Sequence, residues 1–396
     1  MLNKKTVILV SFLLPAFTAV SCKEPKKMQV EPAKTGAERT EYYIPLLKGK
    51  SCAITTNHTA VIGSVRLVDS LVKSGIVIKK IFSPEHGYRG NIAEGVNIGN
   101  DLDSTTGIPI VSLYGKNKKP LPADMQGIDV MIFDIQDVGV RFYTYISTLH
   151  YVMEACAENH MPLMVLDRPN PLGHYTDGPV LRPGYESFVG MHPIPIVYGL
   201  TIGELAGMIN GEGWLGNKMK CNLNIIPCSG YTHNSRYQLP VNPSPNLQSM
   251  EAIYLYPSIA LFEGTIMNVG RGTPFSFRVF GHPEYPVHEF SYKPEASPVN
   301  KIPKHRELLC YGTDLRDIPM DSLRNMSRID LSWLIRAYKT MNRSDFFLPF
   351  FDKLAGTDAL RRQIESGWND EKIRESWEPD LEKFRVVRKK YLLYPD

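Results

Sequence analysis

Short apolar runs without polar alternation recur along the first part of the chain, with helical patterns between them. Residues 51–56, 76–82, 108–114, 130–135, 163–166 and 222–226 are such runs, rich in β-branched and aliphatic side chains. Between them, Val65, Leu67, Val68, Leu71 and Val72 fall at helical spacing within 63–74. Ile146, Leu149, Val152 and Met153 share one face of a helix expected over 143–159. Thr201 followed by Glu204 has the form of a capping box and opens a further helix. Continuous apolar strands separated by helices predict a parallel sheet covered on both faces. The expected architecture is α/β, a Rossmann-like parallel-sheet domain over residues 42–244. No Gly-x-Gly-x-x-Gly follows the first run, so a dinucleotide is not suggested. Past Asn-Pro-Ser-Pro-Asn at 242–246 the pattern changes to Pro, Tyr and Gly, with later helices expected at 330–338 and 355–366. This predicts a smaller α+β C-terminal domain over 245–396 that completes a cleft.

The start of the chain reads as an address. Lys4 and Lys5 precede an apolar stretch, residues 7–20, interrupted by Ser11, Pro15 and Thr18. The stretch is too short to span a bilayer and suits an export signal over residues 1–21. Ala19-Val20-Ser21-Cys22 resembles a bacterial lipobox, with Ala19 where Leu is commoner. The expectation is a lipid on Cys22 and a lipoprotein of the periplasm or outer membrane, held to its membrane by that anchor. Residues 22–41, rich in Lys, Glu, Pro and Thr, read as a flexible tether.

Composition narrows the function. Apolar residues are 43% and charged residues 22% of 396, the balance of a globular protein. The net charge of +4 comes with both signs interspersed, without the basic stripe of a nucleic-acid binder. Six cysteines are too few for a disulfide scaffold, and none form Cys-x-x-Cys. Cys52, within an apolar run, reads as a small core residue.

The polar clusters sit where the predicted strands end, the edge at which open α/β sheets bind ligands. They are Thr56-Asn57-His58-Thr59, Pro84-Glu85-His86-Gly87-Tyr88-Arg89-Gly90, the stretch from Asp134 to Tyr145, and Asp167-Arg168-Pro169-Asn170-Pro171. Carboxylates, Arg, His, Asn and Tyr on one rim can hold a polar ligand and move protons. Glu85, between Pro and Gly after an apolar strand, is placed to act as a general acid. Asp134 is either a second catalytic group or a strand-end cap. Arg141 and Arg168 either pair with Asp137 and Asp167 or bind a substrate carboxylate through the planar fork. Tyr143 and Tyr145 either pack in the core or stack on a sugar. His58 and His86 lack metal-ligand spacing and are expected to hydrogen-bond substrate. The serine-hydrolase elbow Gly-x-Ser-x-Gly is absent.

At these clusters the chain resembles the NamZ-type exo-β-N-acetylmuramidases, glycoside hydrolase family 171. The resemblance rests on Thr56-Asn57-His58, Pro84 to Gly90, Thr106-Gly107-Ile108-Pro109, Ser112-Leu113-Tyr114-Gly115 and Asp134 to Gly139. It continues through Arg141 to Tyr145, Leu166 to Pro171, Pro243-Ser244-Pro245-Asn246 and Gly270-Arg271-Gly272-Thr273. It implies a Rossmann-like domain with a smaller second domain and a cleft between them. It implies release of N-acetylmuramic acid from the non-reducing end of peptidoglycan fragments, muramyl saccharides as partners, and no cofactor or metal. Carried over to this chain, it makes Glu85 the acid. The substrate's 2-acetamido group can itself attack the anomeric carbon, and Asp134, with Gln136 or His86 assisting, is the candidate to orient it; two carboxylates acting directly is the alternative. Substrate contacts are expected from Asn57, His58, His86, Arg89, Gln136, Arg141, Tyr143, Asp167, Arg168, Asn170 and Arg271. Ile266 and Asn268 stand where Asn and Ser are expected, which would alter substrate preference if those positions touch sugar. The rival reading is a non-catalytic lipoprotein that binds cell-wall amino sugars in the same cleft. A further alternative is hydrolysis of another 2-acetamido sugar.

Overall fold

The computed structural model of the chain describes residues 32–89 and 101–396. The export signal, Cys22 and Gly90 lie outside the described residues. Twelve strands occur among the described residues: β1 (Ser51–Thr56), β2 (Val61–Ile62), β3 (Val65–Arg66), β4 (Val77–Ser83), β5 (Asp101–Leu102), β6 (Pro109–Ser112), β7 (Val130–Asp134), β8 (Leu163–Leu166), β9 (Leu223–Ile226), β10 (Val279–His282), β11 (Ser291–Tyr292) and β12 (Cys310–Asp314). The helices are α1 (Thr40–Leu47), α2 (Leu67–Lys73), α3 (Tyr145–Glu158), α4 (Ile202–Gly211), α5 (Met250–Ile259), α6 (Met320–Arg324), α7 (Ser332–Met341), α8 (Phe350–Ala355), α9 (Ala359–Glu365) and α10 (Asp370–Arg388).

Seven strands form one sheet in the order β5-β6-β4-β1-β7-β8-β9, parallel except for β5 at the edge. The chain starts at β1, builds outward through β4 and β6, then returns to β7 on the other side of β1. That reversal is the topological switch point beside which α/β sheets bind ligands. The faces follow from period-two alternation. Met131 and Phe133 of β7 and Leu163 and Val165 of β8 enter the larger core, while Val130, Ile132, Met164 and Leu166 enter the other. Both faces are buried, as the unbroken apolar runs require. The larger core continues through α3, α4 and α5 into α7, α9 and α10, ending at Phe384.

Several local expectations hold. Thr201 and Glu204 form a reciprocal capping box at the start of α4. Cys52 is fully buried, and Cys52, Cys156, Cys221, Cys228 and Cys310 are all free thiols. Others change. The helix expected over 63–74 starts only at Leu67, because Val61–Arg66 forms the β2–β3 hairpin. The helix expected over 355–366 begins only at Ala359, as α9, because Ala355 is the last residue of α8 and Gly356, at φ 73°, ends that helix. The tether expectation for 22–41 does not extend through its last residues. Lys34 pairs with Ser229, and the Gly36 amide donates to the Asp167 carbonyl at 2.7 Å. A Cβ at Gly36 would lie 2.2 Å from the Ile226 carbonyl oxygen, so glycine is what lets this segment approach the sheet.

Candidate active site

A cavity of about 300 Å3 opens at the carboxyl edge of the sheet. Its size is at the lower end of small-molecule sites. Glu85 and His86 follow β4, Tyr114 follows β6, and Phe142 to Tyr145 lead into α3. Ser244 and Asn246 come from the Pro-rich loop, Tyr256 from α5, and Glu263, Arg271 and Phe277 from beyond it. Phe188, Val189, Phe350 and Leu354 complete an apolar side.

Glu85 is presented by a tight turn. The Gly87 amide donates to the Pro84 carbonyl at 3.1 Å, and His86 sits at φ 67°. A positive φ at the third position is the signature of a type II turn, where Gly or Asn is usual. A histidine there is held by its surroundings at some backbone cost, a feature that clusters at functional sites. Glu85 is half-buried and accepts a hydrogen bond from the Thr144 hydroxyl at 2.9 Å. Tyr145 follows; burial first, then the Glu85 charge, raises its phenol well above the ordinary range.

An aromatic wall runs from this carboxylate to the far side. Tyr145 meets Tyr143 edge to face at 4.9 Å, and Tyr143 meets Tyr256 at 6.0 Å. Tyr256 meets Phe277 at 4.9 Å, and the Arg271 guanidinium lies 5.2 Å from the Phe277 ring centre. Arg271 in turn pairs with Glu263 at 2.5 Å. Tyr143 and Tyr145 both direct their hydroxyls to the Pro243 carbonyl, at 2.8 and 3.5 Å. His58 pins the same loop, its Nε2 lying 2.9 Å from the Asn242 carbonyl oxygen. Burial, against that bond, lowers the His58 pKa and favours the neutral ring.

Of the expected site residues, Glu85, His86, Tyr143 and Arg271 line the cavity. The others are not among its lining residues. Asp134 is fully buried and forms a two-bond ion pair with Arg168, with Nη2 to Oδ2 at 2.9 Å and Nε on Oδ1. Asp134 and Arg168, expected at the site, are thus engaged with each other and are not among the residues that line the cavity. Arg168 pairs with Asp134, not with Asp167. Arg141 is fully buried and, among the described residues, pairs with no carboxylate. It donates to the carbonyls of Pro179 and Ile194 at 2.8 and 2.7 Å, and to Leu354 and Ala355 at 3.0 and 2.7 Å. It thereby caps the C-terminus of α8, where a cation also meets the negative end of the helix. Asp167 accepts from the Gly203 amide and the Thr201 hydroxyl at the start of α4, each at 2.7 Å, and from Tyr394 at 2.5 Å.

Gln136 donates to the Asp137 and Pro169 carbonyls, both at 2.8 Å. Asn170 donates to Leu200 at 2.8 Å, and Asn57 accepts from Thr59. Arg89 reaches Asp103 at 3.1 Å and Ser104 at 2.5 Å, away from the cavity lining. Sequence reasoning missed Glu263, Thr144, Phe188, Tyr256 and Phe277 as lining residues. Thr144 lies within a recognised motif, and Glu263 stands eight residues before Arg271.

Two family models match the chain. The N-terminal domain model of exo-β-N-acetylmuramidase NamZ matches residues 52–251, and the C-terminal one matches 254–394. The chain belongs to the NamZ family. It is 40% identical over 373 residues to the peptidoglycan β-N-acetylmuramidase NamZ of Bacillus subtilis strain 168, covering 89% of each chain. A crystal structure of a DUF1343 family protein from Bacteroides fragilis superposes with a TM-score of 0.86 at 46% identity, covering 92% of this chain and 99% of that one. A second DUF1343 protein of B. fragilis gives 0.80 at 30% identity, covering 91% and 99%. The cavity draws its lining from both NamZ halves: Glu85 and His86 come from the first, Tyr256 and Arg271 from the second.

Proposed function

We propose that this chain is an exo-acting glycoside hydrolase that releases N-acetylmuramic acid from the non-reducing end of peptidoglycan fragments, with Glu85 as its acid. The observation that carries the role of Glu85 is its position: a half-buried carboxylate on a strained turn, lining the cavity and held by Thr144. The substrate class comes from the family and from the curated relative. Glu85 protonates the glycosidic oxygen as the bond to the anomeric carbon breaks. The acetamido oxygen of the substrate attacks that carbon, as in substrate-assisted glycosidases, forming a cyclic oxazolinium; water then adds at the same carbon, giving its proton to the Glu85 carboxylate and freeing the sugar, so no second protein carboxylate has to be the nucleophile. Asp134, locked to Arg168, is left out of the reaction. His86 and Tyr143 supply hydrogen bonds and an aromatic surface for the sugar.

The anchor belongs to the same reading. Lipidation of Cys22 would tether the enzyme to a membrane of the periplasm or outer membrane, beside its polymer.

The test is chromophore release from a β-N-acetylmuramide by wild type and by Glu85→Gln, with circular dichroism confirming the fold of both. Turnover by wild type, reduced by at least about 100-fold in the variant, supports the reading. No turnover by folded wild type overturns it in favour of a binding protein.

A further inference from the structure

Helix α3 starts at the cavity, with Tyr145, and carries Cys156 near its other end. At 1.5 Å per residue, that cysteine lies about 16 Å along the helix from Tyr145. The chain there is tied to the start of β9. The Met161 amide donates to the Cys156 carbonyl at 2.9 Å, and the Leu163 amide, opening β8, donates to the Asn222 carbonyl at 2.9 Å. Cys221 immediately precedes Asn222. Its backbone is held by one side chain of α4: the Cys221 amide donates to the Asn210 Oδ1 at 2.8 Å, and the Asn210 Nδ2 donates to the Cys221 carbonyl at 3.0 Å. At this junction the Cys156 and Cys221 thiols hydrogen-bond to one another. Both are buried in the larger core.

The other buried thiols are placed differently. Cys52 donates to the Lys50 carbonyl at 3.9 Å, and Cys310 to the Leu308 carbonyl at 3.8 Å. Cys228 lies against Tyr394, its amide donating to that hydroxyl at 2.8 Å. A disulfide needs two side chains that face each other, and two hydrogen-bonded thiols meet that need. The contact with Cys221, then burial, raises the Cys156 thiol well above the ordinary thiol range. Thiolates are the nucleophiles of disulfide exchange, so this pair reacts slowly once folded and fastest while α3 and β9 are still closing.

We infer that Cys156 and Cys221 are a disulfide-forming pair, joined as the chain folds in the presence of a disulfide oxidant. The step is thiol–disulfide exchange. One thiolate of the pair attacks a sulfur of the oxidant and expels its first thiolate. The other thiolate then attacks the resulting mixed disulfide, closes the Cys156–Cys221 bond and expels the second. The pair gives up two electrons and two protons, and the oxidant disulfide becomes two thiols. The bond closes a loop over residues 156–221 that contains β8 and α4. Cross-linking so long a loop stabilises chiefly by restricting the unfolded chain. Because the bond forms at the far end of α3 from the cavity, it acts on stability and leaves turnover unchanged. The inference does not depend on the muramidase reading. Export, as proposed above, would bring the chain to such an oxidant.

The experiment refolds the full chain from denaturant in reduced and oxidised glutathione, and in parallel with excess reductant. Natively folded chain is also incubated with oxidised glutathione. Each product is digested without reduction and its peptides are weighed. The expected product joins the Cys156 and Cys221 peptides, about 2 Da below their summed mass. Four of the six cysteines should then titrate as thiols in denaturant. The thermal midpoint should exceed that of the reduced protein by at least about 3 °C. Cys156→Ala and Cys221→Ala are each expected to lose this redox-dependent shift, whatever midpoint they start from, and Cys228→Ala to keep it. Absence of the Cys156–Cys221 peptide from both oxidised samples overturns the inference. So does a bond between any other two cysteines in its place, or a shift that survives Cys156→Ala.

Discussion

Thr144 gives its hydroxyl to Glu85 and leaves its own helix without a side-chain cap. A threonine before the first turn ordinarily accepts a hydrogen bond from the helix backbone. Here it donates to a carboxylate brought in from the end of β4, 59 residues earlier. A local rule is broken at the point where two family motifs meet, which is where function most often overrides local preference. Replacing Thr144 with Val keeps the shape and removes the donor. A fall in kcat of about 2–10-fold, with KM little changed, is expected from the loss of one hydrogen bond. Steady-state kinetics on the chromogenic muramide check this; an unchanged kcat would leave Thr144 as packing only.

The Asp134–Arg168 pair predicts stability rather than chemistry. Removing one partner strands the other charge in the core. Asp134→Asn is expected to cost about 3–5 kcal/mol of unfolding free energy. Replacing both, as Asp134→Leu with Arg168→Met, should cost less than the single change, because no buried charge is left unpaired. Urea unfolding of the three proteins gives the comparison. A stable Asp134→Asn protein without activity would instead return Asp134 to the catalytic set.

Two buried acids make stability depend on pH in the direction opposite to ordinary acid unfolding. Burial raises Asp137 to about 6 against donation from Tyr198 and Gly139, and burial with the nearby Glu204 charge raises Asp167 to about 6 against Tyr394 and Thr201. A carboxyl that binds its proton more tightly when folded adds stability below its unfolded value, about 4. That contribution is lost as pH rises through about 6. In an Asp137→Asn variant the amide oxygen can accept the same two bonds without the charge. The variant should match wild type near pH 4 and gain on it as pH rises through about 6, by up to about 3 kcal/mol. Chemical unfolding at several pH values from about 4 to about 7 tests the sign; a difference that does not grow with pH rejects it.

Gly139 stands at φ 78°, and a Cβ there would lie 2.3 Å from the Asn170 side-chain oxygen. Asn170 cannot yield easily, since it holds Leu172 and Leu200 at 2.8 Å each. Gly139→Ala combines left-handed strain with displacement of a buried amide. It is expected to cost at least about 2 kcal/mol, and a thermal melt within about 1–2 °C of wild type would refute this.

Periodicity along the chain determined the parallel sheet, because a strand buried on both faces must be apolar at every position, and that is visible without coordinates. The capping box at Thr201 and the core role of Cys52 were equally local. The order in which strands pair was not, since topology depends on where each crossover lands. The motifs located the rim of the site, yet residue type alone could not separate ligand-facing groups from those that hold the rim together. Arg141 and Arg168 offered the same chemistry as Arg271 on paper. Only the tertiary structure buried the first under backbone carbonyls, locked the second to Asp134, and left the third on the cavity wall. Glu263 escaped notice for the same reason: its partner and the cavity it faces come together only when the second half of the chain packs on the first. Desolvation and pairing are properties of place, and place is decided by contacts far apart in sequence.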